Sequence, residues 1–394
     1  MIRSTVAHVD LSALKANLQA VREFLAAGAA AGGDPASAPP RIVAVVKANA
    51  YGHGAERVAL ALESAGASVL ACADIEEGIT LRRAGVRVPV LVFGALSVSD
   101  VDGVFEHALT PTISSPAAAR SLQAAAARRQ VTLGYHLKID TGMNRLGFRH
   151  DNLRRTLPDV LGSASLRLDG VFTHFATADD PEDPFFETQR ERFEQAWSTV
   201  GSIDAGLPAG NHPRPARVLK HAANSAAMLR DSRVWYDMVR PGLLLYGLVP
   251  PPLATTIPLA PVMSLTSRVV AVKGVRPGEG VGYGLQFTAE SPATIAVIPA
   301  GYADGIDMRV SGRGHVLIRG RRAPVVGSVC MDMMMADVTA LSDVSPGDEV
   351  VILGRQGDES WQQIDAREIA AAIGTIPHEL VCRIGARIER QYEP

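Results

Sequence analysis

The 394-residue sequence has only three cysteines, almost no net charge and no apolar run of membrane-spanning length. Cys72, Cys330 and Cys382 are scattered, which argues against a disulfide framework or a CxxC metal site, so we expect no metal. No apolar stretch approaches the ~18 residues of a transmembrane helix, and the first ten residues lack the apolar segment of a signal peptide. A net charge of −2 argues against nucleic acid or a membrane surface as partner. These features together predict a cytoplasmic protein.

Short apolar runs alternate with alanine-rich helical segments in the first part of the chain, and the length suggests about two domains. Eight apolar runs are candidate strands: residues 42–46, 68–73, 90–93, 110–113, 134–139, 168–173, 218–220 and 243–246. Eight strand–helix units fit the size of a (β/α)8 barrel of the TIM type. A doubly wound sheet would need a crevice motif such as GxGxxG after the first strand, and the sequence has none there.

The pattern changes after the three prolines at 250–252, where short runs rich in Val, Ile, Gly and Pro predict a mostly β region. We therefore expect an α/β barrel domain at residues 10–250 and a β-rich domain at 251–394, which a strand at 1–9 could join. A late helix is expected at Ala366–Ile373 and a final strand near 380–388. The segments 26–40 and 204–215, rich in small residues and prolines, predict surface loops.

The most distinctive segment is VVKANAYGHG at residues 45–54. Lys47 follows an apolar strand, where burial disfavours the ammonium form and exposes a nucleophilic amine suited to Schiff-base chemistry. Tyr51 opens a glycine-rich turn whose backbone can approach an anion closely. Taken alone, a lysine at this position is more often a solvated strand cap. The spacing, however, resembles the pyridoxal-phosphate lysine segment of alanine racemases.

Two later segments, HAANSAA at 221–227 and RPGL at 240–243, resemble the phosphate-binding loops of that family. In a barrel, phosphates often bind at the loops that follow the last two strands. Ser225 could donate a hydroxyl and Gly242 would allow close backbone approach, although a helix cap and a turn glycine are the structural alternatives. The resemblance implies that pyridoxal phosphate is held by Lys47, Tyr51, Asn224, Ser225, Gly242 and Leu243.

The same resemblance places Arg240 against the pyridine nitrogen of the cofactor. Because arginine cannot accept a proton, carbanion charge would delocalise less into the ring, which should suppress side reactions such as transamination. His174, in the run VFTHFATAD, resembles the family histidine that links Arg240 to a second catalytic base. The structural alternatives are a surface ion pair for Arg240 and a satisfied core residue for His174.

The segment KIDTGMNRLG at 138–147 resembles another family hallmark. Arg145 would hold the substrate carboxylate or the phenolic oxygen of the cofactor, a task that suits its planar fork. Lys138 matches a position that is carbamylated in some family members, and an ordinary ion pair with Asp140 is the alternative. Asn144 stands where most members have glycine, and asparagine tolerates a positive φ better than other residues do.

The β-rich region carries the remaining candidates. Tyr283 lies between two glycines, which is typical of an exposed and reachable phenol, and neighbouring cations could lower its pKa enough for it to act as a base. By resemblance, Tyr283 reaches across a dimer interface into the partner's barrel. The substrate site would be completed there by Tyr302, Met331 and Asp332. A β-turn and a packed strand are the structural alternatives for these segments.

The resemblance extends over nearly the whole chain and implies an isomerase, an amino-acid racemase that interconverts L-alanine and D-alanine. Lys47 would serve as Schiff-base lysine and as base on the D-face, and Tyr283 of the partner subunit as base on the L-face. A homodimer with shared active sites follows from this arrangement. D-Alanine biosynthesis would make the product a peptidoglycan precursor.

Three alternatives remain open at the level of sequence. A racemase for serine or a basic amino acid could use the same scaffold, because Ser328 replaces an arginine that many members carry near the entrance. A non-catalytic pyridoxal-phosphate carrier would stop after the barrel. A decarboxylase would place an acidic residue where Arg240 stands. Ala386 and Glu389 also depart from the family pattern, which leaves access and cofactor affinity undecided.

Overall fold

The computed structural model describes residues 4–31, 38–96, 101–208, 213–357 and 361–394. Within these residues, parallel strands alternating with helices are followed by a larger, mostly antiparallel sheet. Each sheet packs on its own cluster of buried apolar side chains. None of the described helices is long and apolar enough to cross a membrane.

The first part of the chain follows the predicted alternation of strands and helices. Its elements are β1 (Val6–Asp10), α1 (Leu11–Ala31), β2 (Arg41–Val45), α2 (Lys47–Tyr51), α3 (Ala55–Ser64), β3 (Val69–Cys72), α4 (Ile75–Arg83), β4 (Val90–Val92), α5 (Asp102–Glu106), β5 (Thr110–Ile113), α6 (Pro116–Arg128), β6 (Leu133–Asp140), β7 (Phe148–Arg149), α7 (Leu153–Thr156), α8 (Pro158–Leu161), β8 (Leu166–Phe172), α9 (Phe185–Gly206), β9 (Leu219–Asn224), α10 (Ser225–Arg230) and β10 (Met238–Arg240).

Eight parallel strands close into a barrel, which confirms the predicted fold. The strands pair in the order β5-β4-β3-β2-β10-β9-β8-β6, and a further pairing between β5 and β6 joins the two ends. Strands such as β3 are buried along their whole length, as expected where helices cover one face of a parallel sheet and side chains fill the other. Functional side chains therefore collect where the strands end, at the mouth of the barrel.

The eighth strand and the two predicted loops differ from expectation. Residues Leu243–Tyr246 form a 3-10 helix, and the eighth strand is β10, so Arg240 ends this strand instead of preceding it. Helix α1 continues to Ala31 and α9 to Gly206, because small residues, alanine above all, are compatible with a helix as well as with a loop. The central parts of both predicted loops, 32–37 and 209–212, lie outside the described residues.

The second sheet contains β1 and all but two of the remaining strands. The further elements of the chain are β11 (Met263–Arg268), β12 (Ala271–Val275), β13 (Gly280–Val281), β14 (Phe287–Thr288), β15 (Ala293–Ile298), β16 (His315–Ile318), β17 (Arg321–Val326), β18 (Met334–Asp337), β19 (Glu349–Gln356), β20 (Gln362–Ile364), α11 (Ala366–Ile373), α12 (Pro377–Cys382) and β21 (Glu389–Glu393). The main path of the second sheet runs β12-β15-β18-β17-β16-β19-β11-β1-β21, while β13 and β14 form a small sheet of their own.

Two ends of the chain meet in this sheet. Strand β1 pairs with β11 on one side and with β21 on the other, so the chain begins in the second sheet before it enters the barrel. The late helix α11 agrees with its predicted bounds. The final strand begins at Glu389 as β21, later in the chain than the predicted 380–388. Residues 377–382 form α12 instead, with Pro377 in its first turn.

Candidate active site

Lys47 stands at the mouth of the barrel, on a backbone turn of unusual conformation. It follows β2, and the next four residues have φ between 52° and 54°, which is the left-handed region. In this left-handed turn (Ala48, Asn49, Ala50 and Tyr51) no residue is glycine, and a left-handed conformation costs roughly 1–2 kcal/mol per residue. Such strain persists only where surrounding contacts enforce it, and it concentrates at functional sites.

Side chains and backbone from neighbouring elements hold the left-handed turn. The Glu77 carboxylate, on α4, accepts hydrogen bonds from the Ala48 N–H at 2.6 Å and from the Ala73 N–H at 2.7 Å. Asn49 Oδ1 accepts from the N–H of Ala55, the first residue of α3, at 2.7 Å. The turn is therefore fastened to the two helices that follow it. The sequence analysis did not identify Glu77 as a candidate, because no local pattern indicates that its carboxylate reaches the segment after Lys47.

The end of the turn packs against the C-terminal part of the chain. Gly52 has φ 82°, and a Cβ at this position would overlap the carbonyl oxygen of Val381 in α12. Arg390 Nε donates to the Gly52 carbonyl at 2.9 Å. Ala386 lines the cleft beside the turn together with Cys382. The departure at Ala386 thus lies next to the segment that carries Lys47.

The environment of Lys47 favours a neutral amine. Burial lowers the pKa of Lys47, and the positive charge of Arg145 lowers it further. Cys382 and Glu77 act in the opposite direction. A lowered pKa increases the fraction of a lysine that is neutral and therefore nucleophilic.

Three of the predicted phosphate ligands come together beside Lys47. Ser225 Oγ accepts from the Gly242 N–H at 3.0 Å, and a Cβ on Gly242 would overlap the hydroxyl of Tyr51. Only glycine therefore lets the backbone approach Tyr51 so closely. Asn224 is the residue that caps α10, accepting from Ala227 N–H at 2.9 Å, whereas Ser225 is buried. Together with Leu243, which follows Gly242, these groups form a small polar cradle suited to a phosphate.

Arg240 is buried, and none of the described acidic residues forms an ion pair with it. Its NH2 donates to the carbonyls of Thr173 at 2.8 Å and Ala222 at 2.7 Å, and its NH1 lies 2.8 Å from Nδ1 of His221. Burial lowers the pKa of Arg240 to about 9. The surface ion pair that was the alternative for Arg240 does not form, since the side chain is only 3% exposed.

The hydrogen bonds of Arg240 fix the tautomers of two histidines. Because arginine only donates, Nδ1 of His221 must accept, so its Nε2 carries the proton and donates to Nδ1 of His136 at 2.8 Å. Both rings are neutral, in keeping with burial that lowers the pKa of His136 to about 4 and that of His221 as well. Three donor contacts of Arg240 are thus used, and none to the described residues involves its Nε–H. Of the five N–H donors of the guanidinium, these contacts leave Nε–H and one hydrogen of NH1, and Nε–H is suited to a neutral acceptor such as a pyridine nitrogen.

The predicted link through His174 differs from the structure. Among the described residues, the imidazole that bonds Arg240 is His221, and no hydrogen bond joins His174 to Arg240. Burial lowers the pKa of His174, and the cations Lys138 and Arg240 lower it further, so this ring is also neutral. The sequence contained His221 in the HAANSAA run, but its position inside β9 was needed to show that it points at Arg240.

Lys138 is buried among cations. Its ammonium lies 4.6 Å from the centre of the Phe172 ring, and burial, with Arg240 and Arg145 nearby, lowers its pKa to about 7. No ion pair with Asp140 forms within the described residues, since Asp140 Oδ1 accepts from the backbone of Gly142 and Asn144 instead.

Arg145, whose charge lowers the pKa of Lys138, is exposed. The preceding residue, Asn144, has φ 55°. The positive φ expected for Asn144 is confirmed.

Four candidate residues form an exposed patch on the second sheet. Tyr283, flanked by Gly282 and Gly284 with φ of 74° and 71°, is 77% exposed. Ser328 Oγ donates to the carbonyl of Tyr283 at 2.8 Å, so the departure at this position supports the tyrosine loop. The loops of Tyr302 and Met331 join through backbone hydrogen bonds of 3.0 Å, and Asp332 bonds Arg387 at 2.6 Å. We name Tyr283, Tyr302, Met331 and Asp332 the tyrosine patch.

Comparison with known proteins decides the family. Residues 9–250 match the family model for the alanine racemase N-terminal domain, and residues 262–392 match that for the alanine racemase C-terminal domain. The chain belongs to the alanine racemase family. It is 41% identical over 392 residues to the alanine racemase of Symbiobacterium thermophilum, with 99% of this chain and 97% of the relative covered. The predicted class, a pyridoxal-phosphate-dependent amino-acid racemase and hence an isomerase, is confirmed.

Solved alanine racemases share the whole architecture. The enzyme from Bacillus anthracis with bound L-Ala-P superimposes with a TM-score of 0.85 at 33% identity, covering 100% of this chain and 96% of that one. The enzyme from Bartonella henselae with covalently bound pyridoxal phosphate gives 0.83 at 27% identity and 99% coverage of both chains. The cradle at Gly242 and the spare N–H of Arg240 fit the phosphate and the ring nitrogen of this cofactor.

Proposed function

We propose that this alanine racemase family member interconverts L-alanine and D-alanine. The observation that carries the choice of reaction is Arg240, which is buried, bonds a neutral His221 and forms no ion pair with a carboxylate in the part of the chain that the structure describes. An acidic residue at this place would protonate the ring nitrogen and favour decarboxylation or transamination. A donor that cannot give up its proton instead limits charge flow into the ring.

The residues around Lys47 would hold pyridoxal phosphate, which supplies the electron-withdrawing group that acidifies the α-hydrogen of the substrate. Lys47 would bind it covalently, and Arg240 would donate to its ring nitrogen. The remaining contacts, to the phosphate, would come from Tyr51, Asn224, Ser225, Gly242 and Leu243. His174 would line the site as a neutral imidazole.

Substrate binding and proton transfer would involve both ends of the site. Arg145 would hold the substrate carboxylate with its exposed guanidinium. Lys47 would move the α-proton on the D-face, and Tyr283 of the partner subunit would do so on the L-face. Tyr302, Met331 and Asp332 would complete the pocket from the same partner.

Lys138 would be carbamylated. A buried amine with a pKa of about 7 is substantially neutral at physiological pH, and neutral amines react with carbon dioxide. The resulting anion would balance the positive charges of Arg240 and Arg145. Both of these charges lower the pKa of Lys138 in its unmodified form. It would thereby hold Arg145 in position.

The tyrosine patch supports a homodimer. Tyr283 is 77% and Met331 is 53% exposed in the single chain, and Ser328 joins the loops that carry them. Large exposed side chains on adjoining loops are typical of an interaction surface. A second copy of the chain would cover them and place Tyr283 at the barrel mouth. We take residues 10–250 and 251–394, the latter joined by β1, as the two domains. The dimer would work in the cytoplasm, where D-alanine would supply peptidoglycan precursors.

The decisive experiment incubates purified protein with pyridoxal phosphate and L-alanine in heavy water, followed by chiral analysis. L-Serine, L-lysine and L-arginine are run in parallel. We expect D-alanine with deuterium at Cα to form faster than the other D-products. Faster conversion of serine or a basic amino acid would contradict alanine as the substrate, and no exchange with any of them would favour a carrier.

A further inference from the structure

Glu77 occupies a position in which a glutamate ordinarily only caps its own helix. The segment Asp74-Ile75-Glu76-Glu77 has the spacing of a capping box, and Asp74 does cap α4, accepting from the Glu77 N–H at 2.8 Å. In a capping box, the glutamate carboxylate would in turn accept a hydrogen bond from the Asp74 N–H. Here its carboxylate leaves that amide and reaches Ala73 and Ala48 instead.

The two amides bound by Glu77 lie just beyond the ends of two neighbouring barrel strands. Ala73 follows β3, and Ala48 begins the left-handed turn after β2. One oxygen accepts from each amide, at 2.7 Å and 2.6 Å, which are distances typical of charge-assisted hydrogen bonds. The carboxylate therefore ties the start of the strained turn to the next strand of the barrel.

This tie acts on the residue adjacent to Lys47. The backbone direction of Lys47 is set by β2 on one side and by Ala48 on the other, and the left-handed conformation of Ala48 is unfavourable without support. We propose that Glu77 is a positioning residue, whose bidentate grip on the Ala48 and Ala73 amides aims Lys47 at the mouth of the barrel. The inference rests on the proposed function, in which Lys47 carries the cofactor.

The test compares Glu77→Gln with Glu76→Gln in the pyridoxal-phosphate-loaded enzyme. A glutamine keeps the length of the side chain but has one oxygen, so it can accept from only one of the two amides. Glu76 is the exposed neighbour on the same helix turn and makes no side-chain contact with the left-handed turn among the described residues. For E77Q we expect kcat to fall by about 10- to 100-fold with little change in KM, because a small displacement of a catalytic group can cost that much.

Two measurements do not depend on turnover. The first is the rate at which added pyridoxal phosphate attaches covalently to Lys47 of the apoprotein, monitored by absorbance. We expect this attachment to be about tenfold slower in E77Q than in E76Q. In the wild-type protein, hydrogen exchange should show a protected amide at Ala48, and E77Q should lose that protection. Glu77→Asp retains the charge but is one methylene too short for both amides, so it should resemble E77Q.

The inference is overturned if the Ala48 amide of the wild type is unprotected, or if E77Q and E76Q attach the cofactor and turn over alike. The first of these outcomes does not require any variant to fold. If the wild type itself fails to bind pyridoxal phosphate through Lys47, the proposed function is wrong, whatever Glu77 does.

Discussion

At the residue scale, the site contains two buried cations, Arg240 and Lys138, that form no ion pair with any of the described residues. Arg240 donates to two carbonyls and contacts a neutral imidazole and the Phe172 ring. Lys138 lies over the same ring, where the nearby cations lower its pKa and the Asp140 carboxylate acts in the opposite direction. Charges arranged in this way are unfavourable in an empty protein and favourable when a phosphate, a carboxylate or a phenolate is present. The site is therefore organised to receive anionic groups from its ligands.

The first prediction concerns the hydrogen bond between His221 and Arg240. Replacing His221 by Leu removes the acceptor, which leaves a buried N–H of Arg240 without a partner and frees the guanidinium to shift. We expect kcat to fall by about tenfold or more, since an unsatisfied group of this kind costs about 1–3 kcal/mol. His136→Leu, one hydrogen bond farther from Arg240, is the control and should lose less. Equal losses in steady-state assays would show that His221 has only a structural role.

The second prediction concerns Lys138 and pH. The folded-state pKa of about 7 lies below the ordinary 10.5, so between these values the unfolded chain binds more protons and stability increases with pH. Below about pH 7 the folded protein bears the full cost of burying the ammonium. We therefore expect Lys138→Met to raise the melting temperature at pH 6 by more than at pH 9, in buffer free of carbon dioxide.

The matched control for Lys138 is the exposed Lys273, whose change to Met should shift both melting temperatures alike. A gain for Lys138→Met that is equal at pH 6 and pH 9 would contradict a low pKa. Mass spectrometry of protein kept in bicarbonate would test the modification itself. The peptide that contains Lys138 should gain the mass of one carbon dioxide.

At the scale of elements, the left-handed turn is the feature that sequence could not predict. Lys47 and Tyr51 were found from their spacing, and the barrel strands from their apolar runs. In the segment Ala48-Asn49-Ala50, only the asparagine tolerates a positive φ, and one asparagine does not predict four consecutive left-handed residues, because alanine ordinarily favours the right-handed helix. The conformation is imposed by long-range partners such as Glu77, and such contacts become visible only when the strands are placed side by side.

The third prediction follows from this strain. Ala48→Gly removes the Cβ that disfavours the left-handed conformation, so we expect unfolding free energy to rise by about 1 kcal/mol. Ala124→Gly, at an exposed position within the right-handed helix α6, should lower it by about 1 kcal/mol. Chemical denaturation of both variants measures the difference. A loss of stability in Ala48→Gly similar to that in Ala124→Gly would mean that the turn is unstrained.

At the scale of the whole molecule, β1 and β21 join the start and end of the chain within the second sheet, and Gly52 and Arg390 connect this sheet to the turn after Lys47. The barrel and the second sheet are thus connected on one side of the barrel mouth. The order of motifs in the sequence indicated this two-part architecture. It could not show that the tyrosine patch is a single exposed surface, because Ser328, Cys330 and Tyr302 approach each other only through the folded loops.

The fourth prediction tests whether that surface completes the active site of a second copy. Lys47→Ala and Tyr283→Phe chains should each be inactive alone as homodimers. In a mixed dimer, one barrel combines an intact Lys47 with an intact Tyr283 from the other chain, while the second barrel lacks both. Random exchange of equal amounts makes half of the dimers mixed, each with one working site, so we expect about a quarter of wild-type activity.

Recovery should require subunit exchange, which mild denaturant or time at low concentration provides, and the doubly substituted chain is the control. If Lys47 and Tyr283 acted within one chain, no mixture could combine them, and activity would stay at the level of the single variants. Size-exclusion measurements on the same samples would separate this result from a failure to exchange. A quarter of the activity in exchanged dimers would mean that the exposure of Tyr283 in the isolated chain is the consequence of a site built by two chains.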